Sequence, residues 1–131
     1  MFRRVLVTFL LVLVATSLYA ANSGTIAQSG SLNSATSNQT GADNSSVISQ
    51  GGDDNIVAID QNHTTGSSNT AVISQGGDGN VASAQQTGGG NITNVTQDGT
   101  SLPGETNSVS VTQNGEDQET QYSLQVQFPK L

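Results

Sequence analysis

Two side-chain amides recur along this chain at fixed separations. Asparagine stands at Asn22, Asn33, Asn44, Asn55, Asn69, Asn80, Asn91 and Asn107. Each is followed six residues later by glutamine, at Gln28, Gln39, Gln50, Gln61, Gln75, Gln86, Gln97 and Gln113. A primary amide carries two N–H donors and one carbonyl acceptor, so identical amides stacked in register can bond to the copy above and the copy below. The chemistry on offer is self-recognition, not catalysis. Other chemistries lack material. The chain has one histidine, His63, and no cysteine, which leaves no basis for a Ser-His-Asp triad, a thiolate zinc site or a cysteine nucleophile. Arg3 and Arg4 sit at the extreme N-terminus, and Lys130 is the only basic side chain beyond them. With so little to neutralise phosphates, no nucleic-acid partner is expected, and no enzyme activity, cofactor or metal is expected either.

Successive Asn-x5-Gln copies are 11 residues apart except twice, where the step grows to 14 (Asn55 to Asn69) and 16 (Asn91 to Asn107). Two residues after the glutamine comes a turn glycine, at Gly30, Gly41, Gly52, Gly77, Gly88, Gly99 and Gly115; only His63 departs. A register kept through two insertions marks a repeat architecture. Segments such as Asn55–Gln61, Asn69–Gln75 and Asn107–Gln113 are rich in β-branched residues and read as strands. Side chains alternate along a strand, so the Asn, the third residue, the fifth residue and the Gln share one face. The third and fifth positions are mostly small or aliphatic, and the opposite face is mostly polar.

A strand of seven and a Gly-rich link of four, repeated, describe a flat coil in which each strand stacks on the next but one, about 4.8 Å away. The expected fold is all-β: a β-solenoid (β-helix) of about four two-strand rungs, with two parallel sheets and a cross-β, amyloid-like core. Its Asn and Gln columns become ladders along the coil axis. The expected repeats are 22–43, 44–68, 69–90 and 91–115, within a solenoid spanning 21–115.

Composition alone gives a different impression. The chain is 33% apolar and 10% charged, both low for a globular domain. The first 20 residues hold 15 of the apolar residues and two of the three bases, and all ten acids lie beyond them. Residues 1–20 have the layout of a secretory signal peptide: cationic Arg3-Arg4, an apolar stretch from Val5 to Leu18, and small residues at Ala20-Ala21. The product is expected to be secreted, and it is held together without disulfides. Its tail, 116–131, falls outside the repeat; Tyr122, Leu124, Val126 and Phe128 alternate with polar residues and suggest a terminal strand that either caps the coil or grips another molecule. His63 is read as a solvated loop residue. The turn acids Asp53, Asp54, Asp78 and Asp98 are read as keeping strand edges soluble.

The paired copies, Asn22-x5-Gln28-x-Gly30-x2-Asn33-x-Ala35-x3-Gln39 and its three successors, closely resemble the curlin repeat of curli subunits, the functional amyloids of bacterial biofilm matrix. The resemblance covers residues 22–115. It implies export through an outer-membrane secretion machinery and self-association into cross-β fibres (fimbriae) on the cell surface, with roles in adhesion and biofilm. It also implies a second curlin-type subunit as partner, and it gives the greatest weight in seeding to Gln28, Asn33 and Gln39 at one end and Gln97, Asn107 and Gln113 at the other. Three departures point to a minor, nucleator-like subunit or a divergent relative. The repeats begin almost directly at Asn22, where major curlins carry a Gly-rich leader; two connections are long; and the tail has no counterpart. A capped, monomeric solenoid that binds a surface partner as an adhesin is the alternative.

Overall fold

The computed structural model describes residues 21–63, 66–99 and 106–126. The signal-peptide expectation for 1–20, and the tail residues Phe128 and Lys130, lie outside the described residues. Nine strands follow one another: β1 (Ser23–Ser29), β2 (Ser34–Thr40), β3 (Ser45–Gly51), β4 (Ile56–Asn62), β5 (Thr70–Gly76), β6 (Asn80–Thr87), β7 (Ile92–Gly99), β8 (Asn107–Asn114) and β9 (Glu119–Val126). Odd strands form one sheet in the order β1-β3-β5-β7-β9, and even strands form the other, β2-β4-β6-β8. Every pairing is parallel. The chain is therefore the expected β-solenoid of two parallel sheets.

Like stacks on like throughout. Gln28 pairs with Gln50, Gln50 with Gln75 and Gln75 with Gln97 in one sheet. Gln39, Gln61, Gln86 and Gln113 align in the other. The two long connections fall between β4 and β5 and between β7 and β8, so the added residues lengthen turns and leave the strand register unchanged. Inside, the strands alternate buried and exposed residues, as in β4. The core is Ile48, Val57, Ile59, Ala71, Ile73, Ala82, Ala84, Val95, Val109 and Val111, all third or fifth residues of a repeat strand. It is thin, because Ala and Val must share the space between the sheets with the amides.

The tail carries a ninth strand that stays in step. Counting 11 residues on from Asn107 and Gln113 reaches Gln118 and Leu124. In β9, Tyr122 stacks on Val95 and Leu124 on Gln97. Residues 119–126 thus continue the coil in place of lying outside it. The repeat was hidden because a longer amide and an aliphatic residue replace the marker Asn and Gln.

Tight turns make the coil possible. Gly52 has φ +93° and Gly88 φ +103°, and a Cβ on either would lie 2.2 Å from Gly77 O or 2.0 Å from Gly115 O respectively. These positions need glycine twice over, for the left-handed backbone and for the approach of the next rung. A second left-handed residue precedes the column amide: Asp43, Asp54 and Asp117 have φ between 54° and 58°, and Gly79 and Gly90 have φ 70° and 72°. Asp and Gly tolerate this region. Leu32, at φ 57° and 78% exposed, does not gain enough contact to offset the strain.

Leu32→Asn is therefore expected to stabilise the monomer by about 1 kcal/mol, read as a higher urea midpoint at unchanged slope. Gly88→Ala is expected to lower the same midpoint strongly.

Candidate functional site

The chemically distinctive feature is a set of four amide columns, two per sheet. A glutamine Nε2 has two hydrogens, and Gln39, Gln50, Gln61, Gln75 and Gln86 use them in two directions. One goes along the axis: Gln28 Nε2 donates to Gln50 Oε1 (2.6 Å), Gln50 to Gln75 (3.1 Å) and Gln75 to Gln97 (2.8 Å). In the even sheet Gln39 donates to Gln61 (2.9 Å), Gln61 to Gln86 (2.8 Å) and Gln86 to Gln113 (2.8 Å). The other hydrogen crosses to a backbone carbonyl of the facing sheet, as from Gln50 to Ser34 O, Gln61 to Ser45 O and Gln86 to Thr70 O. The glutamines thus tie rung to rung and sheet to sheet.

The asparagine columns run with opposite polarity. Asn44 Nδ2 donates back to Asn22 Oδ1 (3.3 Å), Asn69 to Asn44 (3.2 Å) and Asn91 to Asn69 (3.1 Å). In the other sheet Asn80 donates to Asn55 and Asn107 to Asn80, both at 3.0 Å, and the Asn55 backbone N–H donates to Asn33 Oδ1 (3.0 Å). The same side chains also pin the turns. Asn55 Nδ2 donates to Gly51 O of its own turn and to Gly77 O of the next, and Asn80 Nδ2 does the same with Gly76 O and Gly99 O. Asn33 reaches Gly52 O, and Asn91 reaches Gly115 O. Amide columns and turn glycines therefore form one network, with the Asn amides holding the carbonyls that the glycines bring within reach.

Nearly all of this is buried. Asn44, Asn55, Asn69, Asn80, Asn91, Gln50, Gln61, Gln75, Gln86, Gln97 and Gln113 are shielded from solvent, whereas Asn22, Gln28, Asn33 and Asn107 at the ends are only partly covered. The ninth rung position interrupts both of its columns. The backbone N–H of Gln118 still reaches Asn91 Oδ1 (3.3 Å), but Leu124 brings no amide to Gln97, whose Nε2 turns instead to Asn107 O.

Other groups join the network that the amide pattern alone does not reveal. Thr93 Oγ1 donates to Gln113 Oε1 (2.7 Å) and accepts from Gln86 Nε2, bridging the sheets. The hydroxyls of Ser37 and Ser46 meet at 2.8 Å. The turn acids do more than face water: Asp53 Oδ1 accepts from Ser31 N–H (2.6 Å), and Asp78 Oδ1 accepts from Asp53 N–H (2.8 Å). The signal for this was their place two residues before the column Asn in consecutive turns of one side. His63 is half-buried, not solvated. It takes the glycine's place beneath Gly41, and its Nδ1 lies 2.6 Å from Ala42 O.

Because Gln61 is fully buried and bonded above, below and across, Gln61→Ala is expected to destabilise the monomer by about 3 kcal/mol or more. Gln85→Ala, on the exposed face of the same sheet, should stay within about 0.5 kcal/mol. Urea titration of the two variants makes the comparison.

The arrangement stacks each amide on its own kind along the coil axis. Among curated proteins none matches the chain. The family model for the curlin associated repeat matches twice, over residues 20–52 and 66–99. Each match takes in three consecutive strands, β1–β3 and β5–β7, with the Asn, Gln and Gly positions described above. The chain belongs to the curlin-repeat family.

Proposed function

We propose that this chain is a secreted structural subunit that assembles end to end into curli-like cross-β fibres at the bacterial cell surface, serving adhesion and biofilm matrix. The observation that carries this is the column geometry. Asn and Gln ladders and turn glycines repeat in parallel register over eight strands, so each rung presents the next with the pattern it was itself laid on. Among the described residues the two parallel sheets also have two open ends, each with edge strands that pair on one side only. Such edges template the addition of further strands. Membership of the curlin-repeat family supports the reading. Residues 1–20 would direct export as a signal peptide, and an outer-membrane secretion machinery and a second curlin-type subunit would complete the system.

The ladder residues at the ends would carry the assembly: Asn22, Gln28, Asn33 and Gln39 on β1 and β2, with Gln97, Asn107 and Gln113 toward the other end. A nucleator role is favoured over a fibre-body role by one feature, the degenerate ninth strand, which makes the two ends unlike.

Purified residues 21–131 at neutral pH should convert to fibres that raise thioflavin fluorescence and give a meridional reflection at about 4.7–4.8 Å; a chain that stays monomeric and gives no such reflection refutes the reading. Gln113→Ala and Asn33→Ala should lengthen the lag phase, whereas Ser34→Ala, which faces solvent, should leave it unchanged. Equal effects from all three would show that the ladders are not what drives assembly.

A further inference from the structure

The glutamine columns have a direction, so the two ends of the solenoid differ chemically. Every axial Nε2–H points from an earlier rung toward a later one. In these two columns the N-terminal end should therefore present acceptors and the C-terminal end donors, whereas the asparagine columns run the other way. At the N-terminal end that expectation holds. Gln39 is 6% exposed, its Nε2 is used by Gln61 Oε1 and Ser23 O, and its Oε1 is buried with no hydrogen-bond partner among the described residues. Every later glutamine of that column accepts an amide N–H at the same atom. A buried acceptor at the first position of a column, on an edge strand, is a half-made contact.

At the C-terminal end the donors have been withdrawn. The odd column ends at Leu124. In the even column, Gln113 spends its Nε2 hydrogens inside the chain, on Ile92 O (3.0 Å), Gln118 O (2.9 Å) and Thr120 Oγ1 (3.3 Å). Two of these three acceptors belong to β9 or to the residue just before it. The aliphatic column Ile26, Ile48, Ile73, Val95 likewise closes with an aromatic residue, Tyr122, 42% exposed.

Strand parity sharpens the contrast. With nine strands, β1 and β9 lie in the same sheet, so a second copy that continues the coil sets its β1 on β8 and its β2 on β9, a half-turn about the axis. Gln39 of the newcomer then meets Leu124, and its buried Oε1 finds no donor.

We propose that the N-terminal end, formed by β1 and β2, is the docking surface of this protein, and that it fits the end of another curlin-type chain bearing glutamine in both columns. β9, through Leu124, acts as a built-in brake on stacking by a second copy. The proposal rests on the assembly reading above and adds a direction to it. An unmade buried hydrogen bond at the interface weakens docking about tenfold.

The test uses residues 21–131 and the Leu124→Gln variant of the same chain, whose ninth strand can donate to Gln39 of the next copy. At equal concentration the variant should form thioflavin-positive fibres about tenfold faster than the parent. Parent chain added at one-tenth of the variant concentration should slow elongation of preformed variant fibres, because each parent that docks by its N-terminal end leaves Leu124 as the new terminus. Fibres that form at the same rate from both chains overturn the brake and leave the assembly reading standing, as does elongation that parent chain leaves unchanged or accelerates. Absence of fibres from both chains overturns the assembly reading and the brake together.

Discussion

A buried primary amide that lacks partners costs several kcal/mol, and the rest of this structure follows from that constraint. Between the ends of the coil the ladder glutamine and asparagine side chains lie where no water reaches them, so their donors and acceptors have to be met by protein. Stacking identical amides at the spacing of parallel strands solves the problem once and then repeats the solution. It also fixes the register. A slip by one residue would turn the amides outward and drive exposed polar residues such as Asp60 and Gln85 into the space between the sheets. A polar network here performs the specifying task that a large aliphatic core performs elsewhere.

The same constraint explains what the chain tolerates and what it does not. Extra residues between β4 and β5 and between β7 and β8 do not disturb the ladders, because a turn can lengthen without moving the amides on either side of it. Glycine at the turns is not similarly negotiable: the Asn amides bind carbonyls that approach closely only when no Cβ intervenes. The one place where a turn carries histidine, His63, is also where a long connection begins. Acid-rich turns fit the pattern as well, since Asp53 and Asp78 extend the stacking outward by accepting backbone N–H groups of the neighbouring rung.

Direction is the less obvious consequence. An amide ladder is a chain of oriented hydrogen bonds, so a column has a donor end and an acceptor end. In this solenoid glutamine and asparagine columns point in opposite senses, and the two ends cannot be equivalent. Among the described residues Gln39 leaves an acceptor open on one side, and β9 covers the donors on the other. Assembly through such ends is polar by construction.

Much of the fold was legible because the marker residues are stacked ones. Asn-x5-Gln at an 11-residue step fixes strand length, the inward face, the parallel coil and the glycine turns, since only one backbone geometry brings all eight copies into line. Composition misled, because it counts amides as polar regardless of whether they are paired. The terminal strand was legible from the alternation at Tyr122, Leu124 and Val126, but its place in the repeat was not: Gln118 and Leu124 keep the step but lose the amide geometry, and only pairing with β7 reveals it. Nor does the sequence show where each amide hydrogen points, that Asp53 serves Ser31, or that Thr93 bridges Gln86 and Gln113. Those are choices among partners of similar chemistry, settled by distances of a few tenths of an ångström. Periodicity specifies which residues share a column; only the packed coil decides which atom donates to which, and therefore which end is left unsatisfied.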